Sequence, residues 1–434
     1  QLYNSIFNNL ANEWRTDLQS RSIDSITVLS PAKKSYTEYL YPKVFHDSLI
    51  FAYRKSINDI GRFVLIYPNK SEQVIYTPGD IYEESASLTG NYIIWAEKRA
   101  DLRWTHAEHS VIQVYNIETK TKKEFKTVYN LFSPVISPNL KTFAAVEVDK
   151  ENNYSIGIYN LLTGERLDKI QTPDNQYFFT PSWDEKGEKL YSVSLSEKGK
   201  SLIEIELKNH QIIELTERTY ANIKSPVISN ESLYFTTDFS GVNLIYAFNL
   251  KSKNVKCIAS VPFGADFACT MNIDNKLIFS NYTSGGFQLA SIAFKNIHNR
   301  EALSGIQLGS NDLADKLSKQ EIGIPDFSAS QSTLYKSKKY SKLGHLFNFH
   351  SWAPAYIDIN SDEIRPGVSM FSQNKLGTAE TKLGYDYNVN DRTGKYKLEF
   401  NYLGWFPEIA TEISTGKEAS NYYLIKNKIS CVTD

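Results

Sequence analysis

Between Ile23 and Ile292 apolar residues recur at every second position in short runs. "FAAVEV" (Phe143–Val148), "KLYSVSL" (Lys189–Leu195), "SLIEIEL" (Ser201–Leu207) and "NLIYAFNL" (Asn243–Leu250) all follow this pattern. A period of two places one face on a core and the other in water, which predicts antiparallel strands. Gly, Asn, Asp and Lys turns separate the runs. The runs form groups, most of them opened by a Ser-Pro, Thr-Pro or similar phrase. The groups begin at Tyr41, Ser85, Ser133, Thr180, Ser225 and Ala265, with spacings of 44, 48, 47, 45 and 40 residues. A repeat of that length, with about four strands per unit, predicts the blades of a β-propeller.

The sixth group contains "KLIFSNY" and "FQLASIAF" but lacks a clear fourth strand. The unassigned run "DSITVLS" (Asp24–Ser30) precedes the first group. Placed outermost in the last blade, it closes the ring and hides its edges. The expected fold is therefore all-β, with a six-bladed propeller of four-stranded blades over residues 23–295.

Both ends of the chain differ from this repeat. In residues 1–22, Ile6, Phe7, Leu10, Trp14 and Leu18 fall at helical spacing, predicting an amphipathic helix that packs on the propeller or on a preceding domain. Residues 296–340 are rich in Ser, Lys, Gly and Asn and read as a linker, with a short helix expected at Ser310–Lys319. In residues 341–434 the alternation is strong. Leu383, Tyr385 and Tyr387 share one face opposite Lys382 and Asp386. After the turn "NVNDRTG", Tyr396, Leu398, Phe400 and Tyr402 lie opposite Lys397 and Glu399. Such hairpins suit a membrane barrel or a half-buried soluble sheet, and periodicity alone favours the commoner soluble sheet.

Lys and Arg total 48 against 49 Asp and Glu, and this balance argues against a nucleic-acid partner. Cys257, Cys269 and Cys431 have no disulfide or metal spacing. The chain contains no G-x-S-x-G elbow and no H-E-x-x-H, so neither catalytic residues nor a cofactor are expected. His106 and His109 flank Glu108, but zinc requires three or four ligands and no metal site is predicted. The binding candidates are loop-tip residues: Arg99, Asp101, Arg103, Trp104 and His106 in "AEKRADLRWTH", and Arg62, with Lys55 and Asp59, in "KSINDIGRF". Arg and Trp are common interface anchors. A solvated loop with internal ion pairs is the competing reading.

Ser133-Pro134, Thr180-Pro181-Ser182-Trp183, Ser225-Pro226 and "FSGVNLIYAFNL" (Phe239–Leu250) resemble the six-bladed propellers of the TolB and tricorn-protease type, over about 270 residues. The family's Ser-Pro-Asp-Gly turn is degenerate here, as Ser137-Pro138-Asn139 and Asp184-Glu185-Lys186-Gly187. A propeller followed by "LFNFHSWAPAY", "GVSMFSQNKLGTAETKLGYDYN" and "GKYKLEFNYLGWFP" resembles envelope proteins of Bacteroidota-type bacteria, in which such a propeller precedes a surface-antigen (Omp85-like) outer-membrane barrel. With only three or four barrel strands recognisable, the chain reads as part of a longer parent. The resemblance implies an outer-membrane protein whose propeller faces the periplasm and binds a protein or peptide of the envelope without catalysis. The alternative it implies is a substrate-gating propeller for a peptidase domain carried elsewhere. A small-ligand or lectin-like propeller fits least, because Trp95, Trp104 and Trp183 do not occupy matching places in their repeats.

Overall fold

A computed structural model describes residues 2–20, 24–101, 107–271, 273–294, 338–358 and 363–417, with positions 317, 319–320 and 336. The chain divides into two units, Gln1–Glu321 and Ile322–Asp434. The linker helix expected at Ser310–Lys319 lies almost wholly outside the described residues.

In the first unit, helix α1 (Leu2–Ser20) precedes β1 (Thr27–Val28). The first blade is β2 (Thr37–Phe45), β3 (Leu49–Ser56), β4 (Asp59–Ile66) and β5 (Glu72–Tyr76). The second is β6 (Ser87–Thr89), β7 (Tyr92–Ala100), β8 (Glu108–Asn116) and β9 (Lys122–Phe125). The third is β10 (Asn130–Ile136), β11 (Thr142–Val148), β12 (Tyr154–Asn160) and β13 (Arg166–Gln171). The fourth is β14 (Tyr177–Trp183), β15 (Lys189–Ser196), β16 (Gly199–Glu206) and β17 (Gln211–Glu214). The fifth is β18 (Lys224–Ser229), β19 (Ser232–Thr237), β20 (Leu244–Asn249) and β21 (Val255–Ala259). β22 (Ala265–Met271), β23 (Lys276–Thr283) and β24 (Gly286–Ala293) make the sixth, completed by β1 in the order β1-β24-β23-β22.

The closing strand is thus the one expected at Asp24–Ser30, although its ladder is short. Thr27 pairs with Ser291 and Val28 with Ala290. The clasp extends beyond that ladder. Leu29 N donates to Leu289 O at 2.8 Å, Asp24 N to Ser260 O at 3.0 Å, and Ser260 N to Asp24 Oδ2 at 2.7 Å.

Burial explains the alternation. Each sheet packs its apolar side chains on the next, so the core is a set of wedges between blades. Phe51, Phe63, Ile93 and Trp95 fill the wedge between blades one and two. Ile94, Phe143 and Tyr159 fill the next, and Val146, Phe178 and Ile203 the one after. A larger cluster joins blades four, five and six, and Tyr39, Val64, Ile278 and Leu289 seal the sixth blade against the first. Side chains also tie blade to blade: Trp183 Nε1 donates to Val135 O at 3.0 Å and Ser280 Oγ to Tyr39 O at 2.7 Å. Helix α1 forms where the spacing predicts it, but Ile6, Phe7, Leu10 and Trp14 are exposed, so these four do not pack on the propeller.

The second unit contains β25 (Phe349–Ala353), β26 (Tyr356–Asp358), β27 (Glu363–Arg365), β28 (Gly367–Gln373), β29 (Ala379–Asn388), β30 (Thr393–Tyr402) and β31 (Ile409–Gly416). Five strands form one antiparallel sheet in the order β25-β28-β29-β30-β31, and β26 and β27 form a separate hairpin. No helix among the described residues is long and apolar enough to cross a membrane, which leaves a β-barrel untested.

Candidate functional site

The repeating phrase lies on the propeller axis. Tyr41, Ser133, Thr180, Ser225 and Phe267 have φ of 57°, 46°, 49°, 51° and 57°. Each sits where the first strand of its blade shifts register against the second, between Leu40 and Lys43, Phe132 and Val135, Phe179 and Ser182, Lys224 and Val227, and Asp266 and Cys269. These are β-bulges. Glu84, at φ 51° on the approach to β6, supplies the sixth left-handed residue. Proline follows four of the six, as Pro42, Pro134, Pro181 and Pro226. A bulge leaves an N–H outside the ladder, so a proline there forfeits no bond. Left-handed non-glycine residues cost of order 1–3 kcal/mol each and gather at functional sites.

All six lie in the wall of one axial cavity of about 90 Å3, together with Lys43, Ser87, Ser182 and the bulge prolines. That is smaller than the roughly 150 Å3 engineered cavity that holds benzene. The cavity suits a single narrow group rather than a sugar or a nucleotide. At one end charged groups gather. Lys224 Nζ lies 3.1 Å from Asp266 Oδ2 and 5.3 Å from the Phe267 ring centre. Lys200 Nζ donates to Asn222 Oδ1 at 2.6 Å and sits 5.5 Å from the Phe179 ring. Burial pushes the Lys200 ammonium down, against the pull of Glu84 and Asp238. Burial pushes the Glu84 carboxyl up, with Lys224 and Lys200 opposing and Asp266 and Glu83 adding. The Tyr41 hydroxyl accepts from Glu84 N at 2.8 Å and is also raised by burial.

The candidates taken from the loop tips are placed elsewhere. Arg62 Nη2 donates to Asp59 Oδ1 at 2.9 Å. Asp59 also takes Arg54, which reaches Glu72 on the outer strand β5. Arg99 bonds Glu97 and, at 2.8 Å, Glu124 on β9. Asp101 N donates to Ala107 O at 2.9 Å at the base of the β7–β8 loop. Arg62, Arg99 and Asp101 are absent from the cavity wall. Both arginines serve ion pairs within their own sheets. Arg103, Trp104 and His106 lie outside the described residues. Glu84 is not among the loop-tip candidates, and its only sequence signal is that it immediately precedes the repeat phrase at Ser85. Among the described residues no cluster of three or more His, Cys, Asp or Glu is set to hold a metal.

The sheet of the second unit has its burial inverted. On one face, Lys382 Nζ lies 2.9 Å from Glu399 Oε1, and Arg365 and Lys397 each lie 3.0 Å from Asp386 Oδ2. Tyr356, from the β26–β27 hairpin, is buried on this charged face, its hydroxyl 2.9 Å from Glu399 Oε1 and its ring beneath Lys382 and Lys397. Gly384 makes room for it, since a Cβ there would come within 2.8 Å of the ring. Gly384→Ala is expected to expel Tyr356 and destabilise this unit by about 2 kcal/mol, measurable as a lower denaturation midpoint. An unchanged midpoint would mean that the ring is not held there. The apolar face is open along much of its length, while Ala379 and Thr381 at one end of it are buried. Register aligns Trp352 with Met370, Met370 with Leu383, Leu383 with Leu398, and Leu398 with Ile413. Met370 is 42% exposed, Ile413 59%, and Tyr396 65%.

No protein-family model and no curated protein matches the sequence. Several solved structures are similar to it. The putative TolB from Agrobacterium tumefaciens is 14% identical, with 50% of this chain and 75% of that one covered at a TM-score of 0.40. TolB from Acinetobacter baumannii is 13% identical, covering 79% and 73%, at 0.41. The β-propeller domain of the Trilobed protease from Pyrococcus furiosus is 12% identical, covering 63% and 99%, at 0.42. At such identities and scores the fold assignment stands on the sheet topology itself.

Proposed function

We propose that this protein is a non-catalytic binding module of the cell envelope. Its propeller takes a protein or peptide segment at the axial cavity, from the face where Glu84, Lys200 and Lys224 gather. Its second unit turns the Trp352–Met370–Leu383–Leu398–Ile413 face to the hydrocarbon of a membrane. The resemblance of the sequence points to a bacterial outer membrane, with the propeller in the periplasm.

The observation that carries the binding reading is the ring of six left-handed residues around one small, partly charged cavity. The membrane reading rests on the inverted sheet, because soluble sheets bury the apolar face and barrels in lipid expose it. An open sheet edge leaves backbone groups unsatisfied in lipid, so further strands or a second copy must close it.

A photocrosslinking side chain at Tyr220, which is 75% exposed beside Lys200, tests the binding reading in cells that make the protein. A discrete adduct is expected from position 220 and none from Leu140, in the β10–β11 turn that joins the other ends of these strands. Identical patterns from the two positions, or no adduct, would contradict it.

A further inference from the structure

We infer that the Glu84 end of the axial cavity takes a primary ammonium group of the bound segment, a lysine side chain or a free amino terminus, and holds it on the Glu84 carboxylate. This rests on the propeller being a peptide-binding module.

Glu84 lies in the cavity wall, and among the described residues its carboxylate has neither a hydrogen-bond partner nor an ion pair. The nearby cations are occupied, Lys224 by Asp266 and Lys200 by Asn222. Glu84 is half-buried, and a carboxylate partly withdrawn from water without a partner carries a cost that an incoming cation reduces. Glu83, Asp238 and Asp266 add negative charge around the same end, whereas Lys200 and Lys224 are its cations.

The facing strands supply the rest of the coordination. An ammonium has three donors and no acceptor. Ser133, Thr180 and Ser225 bring hydroxyls to the wall, and Thr180 Oγ1 is buried without a partner. Tyr41 and Phe267 meet edge to face at 4.7 Å and form an aromatic side of the kind that favours a cation. The small volume admits a linear aminoalkyl end more readily than a planar guanidinium. Lys43 lies past the bulge on β2 and repels a cation that goes deeper.

The full chain in detergent is titrated with three tripeptides and followed by saturation-transfer NMR. One carries a central lysine with both ends blocked, one is triglycine amide with a free amino terminus, and one is the blocked peptide with norleucine in place of lysine. At least one ammonium peptide is expected to bind about tenfold more tightly than the norleucine isostere. Whichever binds identifies the source of the ammonium. Glu84→Gln is expected to erase the difference without lowering the melting temperature, and Thr180→Val to reduce it. In the wild-type chain the preference should fade as pH falls through the raised Glu84 range, because the peptide ammonium stays charged while the carboxylate is lost. Equal binding of the norleucine peptide, or a preference unchanged in Glu84→Gln, would overturn the inference. An adduct at Tyr220 that persists in Glu84→Gln, with no ammonium preference, would leave the binding reading standing and the ammonium reading refuted.

Discussion

Deleting residues 1–30 is expected to lower the melting temperature of the propeller by roughly 10 °C and to make it associate. The deletion removes β1 and the bonds that join Asp24 to Ser260, Leu29 to Leu289, and Ser30 Oγ to Leu289 N. At about 1 kcal/mol per net hydrogen bond, the clasp contributes roughly 5 kcal/mol. It also joins the two ends of the ring, so losing it frees the sixth blade to separate from the first. The exposed side of β24 then becomes an unpaired edge, open to strands of other molecules. Calorimetry reads the first effect and size-exclusion chromatography the second. A deletion variant that stays monomeric with an unchanged melting temperature would show that the wedge of Tyr39, Ile278 and Leu289 holds the ring without the clasp.

Glu147→Ala is expected to destabilise the propeller by about 3 kcal/mol. Glu147 is 1% exposed on β11 and accepts from Ser155 Oγ at 3.0 Å, from Tyr159 OH and from Arg166 Nη1 at 3.2 Å. Arg166 is half-exposed and can turn to water, so its loss is small. Ser155 and Tyr159 are both buried, and their hydroxyls would be left without an acceptor. Gly157 faces the same carboxylate, where a Cβ would come within 2.2 Å of Glu147 Oε1, so the strands are built around this side chain. Equilibrium unfolding in urea measures the change. Glu147→Gln, which keeps one acceptor, should lose less. A Glu147→Ala variant as stable as the parent would mean that the carboxylate contributes nothing net.

Alternation and the repeat made the blades legible, and the incomplete sixth group made the closing strand legible. Periodicity says which residues share a face and is silent on what that face meets. Arg62 and Arg99 therefore read either as anchors or as members of internal ion pairs, and the structure pairs them with Asp59 on the same strand and Glu124 two strands away in the same sheet. The axial site was encoded more quietly. Tyr41-Pro42, Ser133-Pro134, Thr180-Pro181 and Ser225-Pro226 recur in phase, which places the bulges on the same strand of each blade. Glu84 departs from that pattern and becomes visible only once its φ is known. In the second unit the alternation separates the two faces of β29 and β30. Which face is covered depends on Tyr356, from "APAYID" more than twenty residues upstream of β29, and on the small Gly384 beneath it. Only the burial separates a lipid-facing sheet from a soluble one of identical alternation.

A nitroxide moved one residue at a time along β30 (Thr393–Tyr402) tests that inversion. The chain, with its three cysteines replaced, is reconstituted into lipid vesicles. Collision with oxygen, which concentrates in hydrocarbon, is compared with collision with a water-soluble nickel complex. Oxygen is predicted to dominate at Tyr396, Leu398 and Phe400 and to fall at Lys397 and Glu399. An alternation of the opposite phase, or no position with an excess of oxygen, would contradict it.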